Sequence, residues 1–250
     1  MKFNNGILLT ILIQLLLVYN PLPVVAQELD EIISKYTKSI WGNTKLDSIR
    51  SLRTFGIVQN ENGAPDYYFL QEMKIPSMIK NEYFTVPNGK RYTIAYDGEV
   101  GWELEANKDS VSAVRLSQER SKHLSSHITI IEPFIQPERI GAAVMSTGKQ
   151  NFYGNESLEL VVKLRDGTMK GFYIDPKEYR LLGTANITIE NSQKKYSNIY
   201  HLKDYKKVEG IYFSFLTEQT LSDGKTNTIK ILRIEINPEF SDNHFKMPQN

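Results

Sequence analysis

The chain has 250 residues, with 30 lysines and arginines against 29 aspartates and glutamates, and it contains no cysteine. Its near-neutral charge gives no electrostatic basis for binding nucleic acid or an anionic membrane surface. The lack of cysteine excludes a disulfide framework, a thiolate metal site and lipid attachment through a cysteine, and the length suits one all-β domain or two small ones.

The N-terminus has the three-part pattern of a secretory signal. Met1 and Lys2 precede an apolar run from Ile7 to Val18, and short side chains follow up to Ala26. This pattern predicts a signal peptide over residues 1–26, cleaved after Ala26. The alternative is an uncleaved membrane anchor, but the run is shorter than the ~20 apolar residues of a spanning helix. We therefore expect an exported chain, and secretion without cysteine is typical of a bacterial protein.

A helix is predicted directly after this segment. Apolar side chains recur at helical spacing and Gly42-Asn43 is a suitable stop. One face of this helix is apolar, so we expect it to pack on the rest of the fold. The apolar positions are Leu29, Ile32, Ile33, Tyr36 and Ile40.

After this helix the apolar period changes from 3.6 to 2, which indicates strands. Turn sequences such as Asp97-Gly98, Asp166-Gly167 and Asp223-Gly224 separate them. Because the loops are short, neighbouring strands pair antiparallel in a meander, and no Pro- or Ser-rich linker divides it into two domains. The predicted strands are 52–59, 67–75, 78–84, 91–96, 101–105, 144–153, 157–165, 168–174, 179–190, 195–205, 211–221 and 226–236.

A second helix is predicted in the middle of the chain. Ser117 is a suitable cap for a helix over 118–132 that carries Leu124, Ile128 and Ile131 on one face, with Pro133 as its end. The β-branched run 128–131 favours a strand instead, so both alternatives stay open.

The hairpin around Asp166-Gly167 is predicted to have a two-residue turn. In that register Leu160 faces Tyr173 and Val162 faces Gly171, so Leu160 and Val162 share an apolar face. A sheet cannot leave such a face in water, so we expect it to curl around a core, a helix or a ligand.

The chain has no evident catalytic constellation. His123 and His127 are four residues apart and, with Glu119, could face a metal on a helix; two exposed polar residues are the favoured interpretation, because no cysteine, HExxH motif or acidic cluster completes a site. Gly-x-Ser-x-Gly and nucleotide-binding loops are also missing. We therefore predict no enzyme, metal or cofactor. A lipid-modifying enzyme remains the alternative, with Asp97, Glu99 and the histidines as its only candidate groups.

The 14 tyrosines, 11 phenylalanines and 2 tryptophans often occupy alternating strand positions. Core packing explains most of them, but an inward-curved sheet lined in this way would also suit an acyl chain. The predicted cavity residues are Tyr67, Phe69, Met73, Ile75, Ile79, Tyr83, Ile94, Trp102, Leu104, Leu124, Ile128, Ile131, Leu160 and Val162.

Several strings, in their order, carry a family resemblance. They are WGNTKLDSIRSLRTFG, AYDGEVGWELEAN, STGKQNFYGNESLELVVKLRDGTMKGFYID, EYRLLG, YHLKDYKKVEGIYF and IEINPEFSDNHFKMP. Over residues 28–248 the chain resembles the periplasmic outer-membrane lipoprotein carrier superfamily (LolA-like), especially its divergent lipoprotein-sorting relatives.

The resemblance implies a mainly β fold, an unclosed antiparallel β-barrel of about eleven strands, with an N-terminal and a mid-chain helix as a lid over an apolar cavity. It also implies a single lipid-binding domain over 27–250, located in the periplasm. The cavity would receive acyl chains of a lipoprotein or other lipid from an inner-membrane exporter and pass them to an outer-membrane acceptor, with no cofactor. The alternative is a non-catalytic structural or partner-binding β-domain of the cell envelope with a filled core.

The chain departs from the carriers at one motif. An arginine that holds their lid precedes a proline, whereas Ile75 precedes Pro76 here, and Ile79 aligns with an aromatic residue of their cavity. Lys74 or Lys80 is the candidate substitute for that arginine.

Overall fold

The computed structural model describes residues 22–107, 110–126 and 128–248. Helix α1 (Leu22–Trp41) comes first and buries Tyr36, Ile40 and Trp41. It ends at Gly42, whose φ of 56° is the left-handed conformation that favours glycine, and the Gly42 amide donates to the Lys38 carbonyl. The first predicted helix is therefore present, and it begins before the predicted cleavage position at Ala26.

Thirteen strands form one sheet in the described part of the chain. Their bounds are β1 (Ser51–Gln59), β2 (Pro65–Lys74), β3 (Met78–Thr85), β4 (Arg91–Tyr96), β5 (Gly101–Asn107), β6 (Ser110–Arg115), β7 (Ala143–Phe152), β8 (Asn155–Lys163), β9 (Met169–Ile174), β10 (Leu181–Glu190), β11 (Gln193–Val208), β12 (Ile211–Thr220) and β13 (Thr226–Ile236).

The sheet consists of two antiparallel meanders. Strands β1–β6 form one and β7–β13 form the other, and they join where β1 pairs with β13. The edges, β6 and β7, do not pair with each other, so the barrel is unclosed. This confirms the predicted fold class, although the resemblance implied about eleven strands and the sequence reading missed β6.

The chain between β6 and β7 covers one face of the sheet, together with α1. It contains α2 (Gln118–Ser125) and the single turn α3 (Pro137–Ile140). The predicted helix thus ends well before Glu132, because the run 128–131 consists of β-branched residues with poor helix propensity. The same run is not a strand. Two short 3₁₀ turns, Leu46–Ser48 and Asp242–Phe245, complete the helical elements of the described ranges, where no helix is long and apolar enough to cross a membrane.

The β8–β9 hairpin has a register one residue away from the predicted one. Leu160 pairs with Phe172 and Val162 with Lys170. The turn closes with Leu164 N–H donating to the Thr168 carbonyl at 2.8 Å, and Gly167 has a φ of 89°. This is a three-residue loop with glycine in the left-handed position, so the predicted two-residue turn was wrong.

Two buried clusters share the covered face. The first lies under α1, where the Phe134 ring is 5.0 Å from Tyr36 and 5.1 Å from Phe172. The second lies under α2, where Leu124 and Ile128 pack over the sheet. The segment 116–136 therefore contributes side chains to both clusters, and we call it the lid.

Candidate lipid-binding site under the lid

Four rows of side chains cross strands β1–β5 on the face that the lid covers, which we call the inner face. The strand pairing aligns them, since directly paired residues of antiparallel strands share a face. The apolar row is Leu52, Met73, Ile79 and Tyr96; the amide row is Thr54, Gln71, Asn81, Ile94 and Glu103; the aromatic row is Gly56, Phe69, Tyr83, Tyr92 and Glu105; and the last row is Val58, Tyr67 and Thr85.

The lid covers the apolar row. Leu116, Leu124 and Ile128 pack against Leu52, Met73 and Ile79, and all six side chains are buried. Because successive side chains of a strand point to opposite faces, the sequence neighbours of Leu52, Met73 and Ile79 point to the outer face. The apolar row is therefore an apolar floor that apolar side chains of the lid cover.

A bidentate ion pair fixes α2 to the edge of the inner face. Arg120 Nη1 and Nη2 donate to Glu103 Oε1 and Oε2 at 2.7 and 2.6 Å, and the Tyr92 hydroxyl donates to Oε2 at 2.5 Å. Arg120 and Tyr92 lower the pKa of Glu103. Burial and the hydrogen bond to Glu103 raise the pKa of Tyr92 to about 12. Since Arg120 is half exposed, this pair holds the lid with only a modest free energy.

Lys74 and Lys80, the candidates to replace the family arginine, pair elsewhere. Lys74 pairs with Asp242, and Lys80 Nζ lies 2.6 Å from Glu82 Oε1. An ion pair that joins the lid to the sheet is instead that of Arg120 with Glu103.

Gly101 lets α2 approach β5 closely. A Cβ at this position would lie 2.5 Å from Ser121 Oγ and 3.1 Å from Ser121 Cβ, distances at which a larger residue would displace the helix. Ser117 caps α2 by accepting from the Arg120 amide at 3.2 Å, which positions the Arg120 side chain at Glu103.

Glu132 anchors the other end of the lid to α1. It is hydrogen-bonded to Tyr36, and loss of solvation raises the Glu132 pKa from 4.5 to about 6. Burial, then the nearby Glu132 charge, raises the pKa of Tyr36 well above its ordinary value. Together with Phe134, this carboxyl ties the lid to the N-terminal helix.

The aromatic row continues beyond the lid. The Tyr83 ring centroid is 5.6 Å from that of Tyr67 and 6.1 Å from that of Tyr92. The Phe69 ring lies over Gly56, where a Cβ would be 2.5 Å from its Cζ. These rings are half-buried, so they form an accessible aromatic surface beside the covered apolar row.

The sheet curves so that side chains of β2 and β11 interact electrostatically. Burial, Asp66 and Tyr200 raise the pKa of Tyr67, although Tyr200 belongs to β11 and three strands lie between β11 and β2. Gln219 Nε2 donates to the Tyr200 hydroxyl at 3.1 Å. The far wall of the inner face is thus polar and aromatic as well.

Most predicted cavity residues lie on the inner face or the lid. Tyr67, Phe69, Met73, Ile79, Tyr83 and Ile94 lie on β2–β4 of the inner face, Leu124 and Ile128 on the lid, and Ile75, Ile131, Leu160 and Val162 in or beside the cluster under α1. Their role in binding stays a prediction.

Trp102 and Leu104 lie outside the candidate site. Ala95 pairs with Trp102, which places both on the outer face, and Trp102 Nε1 donates to the Phe245 carbonyl at 2.8 Å. Leu104 and Met247 pack against the same cluster. The C-terminal segment therefore gives these residues a structural role that alternation within β5 alone does not reveal.

Sequence reasoning missed the polar groups of the site. Asn81 and Gln71 alternate with apolar inner-face residues, which is the only signal that places them there. Arg120 and Glu103 are 17 residues apart, and nothing local in the sequence connects them.

The two best-formed clefts are on the outer face. One, of about 230 Å³, is lined by Arg53, Phe55, Leu70 and Arg233. The other, of about 180 Å³, is lined by residues that include Phe152, Tyr153 and Tyr173. Both are smaller than the ~300 Å³ at which ligand pockets begin, so neither is the predicted acyl cavity.

The predicted metal pair was His123 and His127. His127 lies outside the described residues, and among those that are described no group of three or more His, Asp or Glu side chains could hold a metal ion.

Comparisons with known proteins place this geometry among solved folds. No family model and no curated protein matches the sequence. A LolA superfamily protein from Nitrosomonas europaea superposes with a TM-score of 0.55 at 11% identity, over 88% of this chain and 97% of the other. The chain has the LolA-like fold.

Two further crystal structures share the LolA-like fold with this chain. A putative outer membrane lipoprotein-sorting protein domain from Vibrio parahaemolyticus gives a TM-score of 0.52 at 14% identity, covering 86% of this chain and 94% of the other. A DUF1329 family protein from Desulfovibrio piger gives 0.57 at 11% identity, covering 87% and 97%. The resemblance in the sequence strings is thus confirmed at the level of the LolA-like fold. At identities this low, a shared fold does not establish a shared activity.

Proposed function

We propose that this chain is a non-catalytic periplasmic carrier that binds acyl chains of a lipoprotein or another lipid on the inner face and moves them towards the outer membrane. The observation that carries the proposal is the apolar row of an unclosed sheet, covered by apolar side chains of a lid whose helix α2 is fixed to the sheet by a partly exposed ion pair. Displacing Leu124 and Ile128 would expose this row to a ligand of the same chemistry.

The energetics favour such an exchange. Each methylene buried on the apolar row contributes about 0.8 kcal/mol, so an acyl chain of a dozen or more carbons compensates for the loss of two lid side chains. The ion pair of Arg120 with Glu103 is partly exposed, and such pairs are worth only about 0.2–1 kcal/mol. A bound acyl chain therefore contributes more free energy than the ion pair that fixes α2 over the row.

One structural neighbour is described as a putative outer membrane lipoprotein-sorting protein domain, which supports the same class of cargo here. For such a carrier, residues 1–26 would direct export and be removed, and residues 27–250 would act as one domain. An inner-membrane exporter would supply the cargo and an outer-membrane acceptor would receive it, with no cofactor.

A partner-binding β-domain with a filled core is the second candidate. The observation in its favour is that lid side chains occupy the apolar row and that the best-formed clefts are small and on the outer face. The two functions differ in whether the lid has to move.

A disulfide can test lid movement, because the natural chain contains no cysteine. Gly101→Cys with Ser121→Cys joins β5 to α2 at a Cβ–Cβ distance of 3.1 Å, slightly below the ~3.5 Å lower limit of disulfides, so a shift of a few tenths of an ångström suffices. The oxidised protein should fail to bind a fluorescent fatty acid, and dithiothreitol should restore binding. The Ser121→Cys single variant, which leaves Gly101 in place, serves as the control.

The outcomes separate the candidates. Equal binding by the oxidised and reduced double variant would refute binding under the lid. A failure of the wild-type protein to take up the fatty acid, together with a lipid-free mass after purification without detergent, would instead favour the partner-binding domain.

A further inference from the structure

The amide row contains a buried polar atom without a partner. Asn81 is 7% exposed, and its Oδ1 accepts no hydrogen bond within the described residues. Buried carbonyl oxygens are normally paired, and an unpaired one is destabilising. Gln71 lies directly opposite on β2, is half-buried and also forms no side-chain hydrogen bond there. The two amides thus present unused donors and acceptors to the inner face.

The amide row lies between two surfaces of different character. Towards the lid it adjoins the apolar row, and away from the lid it adjoins Phe69, Tyr83 and Tyr92. Neighbouring rows are two residues apart along each strand, about 7 Å, so the apolar and aromatic rows are separated by about 13 Å. That distance matches a glycerol with one ring attached to it. An amphiphile would therefore meet apolar, amide and aromatic groups in that order.

The charge of the four rows excludes one kind of head group. None of their positions is a lysine or an arginine, and two nearby cations are already paired with row residues, Arg120 with Glu103 and Lys90 with Glu105. A phosphate placed there would lose its hydration without gaining a cation. Side-chain amides, which donate and accept at once, instead suit neighbouring hydroxyls, and tyrosine rings pack on the C–H faces of sugar rings.

We propose that the inner face selects lipids with an uncharged, hydroxylated head group such as a single sugar, with acyl chains on the apolar row and the sugar on the amide and aromatic rows. This inference rests on the proposed carrier function. The key contact is a ligand hydroxyl that donates to Asn81 Oδ1.

The test is a competition between lipids that share acyl chains. The mature protein is incubated with vesicles that contain equal amounts of dipalmitoyl monogalactosyl diacylglycerol and dipalmitoyl phosphatidylglycerol, with palmitic acid titrated separately, and protein-bound lipid is quantified by mass spectrometry. We expect a preference of about tenfold or more for the galactolipid, because the phosphate of phosphatidylglycerol would lose its hydration without gaining a cation. Asn81→Leu and Gln71→Leu should move the ratio towards one.

Gln193→Leu, an exposed amide at the start of β11, is the matched control and should keep the preference. A thermal unfolding midpoint distinguishes a ligand-directed Asn81 from a structural one. If Asn81 Oδ1 serves the ligand, Asn81→Leu should raise the midpoint, because the variant removes an unpaired buried oxygen, and should lower the selectivity between the two diacyl lipids. A lower midpoint with unchanged selectivity would overturn the inference.

The three lipids distinguish a failure of head-group selection from a failure of lipid binding. Equal binding of both diacyl lipids, or preference for the phosphatidylglycerol, would overturn the inference and leave the carrier function standing if palmitic acid binds. Binding of none of the three lipids would overturn both.

Discussion

Replacing Glu132 with glutamine should stabilise the protein at neutral pH. The wild-type carboxyl is half-buried in the lid, and its pKa in the folded protein is raised from 4.5 to about 6. The difference between a pKa of 4.5 and one of about 6 corresponds to about 2 kcal/mol. Because the folded state binds this proton more tightly than the unfolded state, its contribution is fully present below pH 4.5 and is lost as the pH rises through 6.

Glu132→Gln keeps an oxygen that can accept from the Tyr36 hydroxyl but cannot ionise. The variant should therefore match the wild type near pH 4 and exceed its free energy of unfolding by up to about 2 kcal/mol at pH 7.5. Urea unfolding followed by circular dichroism across this pH range measures the difference in free energy of unfolding between the two proteins. The contributions of the other carboxylates are the same in both proteins and cancel in this difference. Glu61→Gln, in an exposed turn, is the control.

A variant less stable than the wild type at pH 7.5 would refute a destabilising Glu132 carboxylate. A difference in stability that stays constant between pH 4.5 and 6 would refute it as well. Either result would mean that Glu132 is stabilised as a carboxylate by contacts stronger than its hydrogen bond to Tyr36.

Two further substitutions test the lid and the inner face. Arg120→Ala removes the ion pair with Glu103, so amide exchange should accelerate over 117–126 while the free energy of unfolding falls by only about 0.2–1 kcal/mol; unchanged exchange there would contradict a lid held by this pair. Gly56→Ala places a Cβ 2.5 Å from Phe69 Cζ, so urea unfolding should show a loss of about 1–3 kcal/mol, and a neutral result would contradict the close packing of Phe69 on β1.

The fold was predictable where local chemistry decides it. Asp97-Gly98 and Asp223-Gly224 lie in tight reversals, and short reversals lead to antiparallel neighbours. The alternation of side chains along β2 predicted that Tyr67, Phe69 and Met73 share one face, and they do. These features depend on residues close in sequence.

The rest depends on partners far along the chain. Trp102 alternates like an inner-face residue of β5, but Phe245 and Met247 cover the outer face and make it a second apolar environment. At Asp166-Gly167 the turn could hold two or three residues, and only the pairing of β8 with β9 decides between them. A slip of one residue exchanges the faces, which explains why site residues were harder to predict than strands.

The connection between the two unpaired edges limits how far the sheet can open. The meanders meet at the β1–β13 ladder, which has a register shift at Phe55 and Gly56, and the chain from β6 to β7 links their far edges. Eight residues of this connection form α2, where each adds about 1.5 Å to the length of the chain. In an extended chain each residue would add about 3.4 Å. Unwinding this helix would lengthen the tether by about 15 Å. Unwinding of one short helix would therefore uncover the apolar row and lengthen the tether between the edges at the same time.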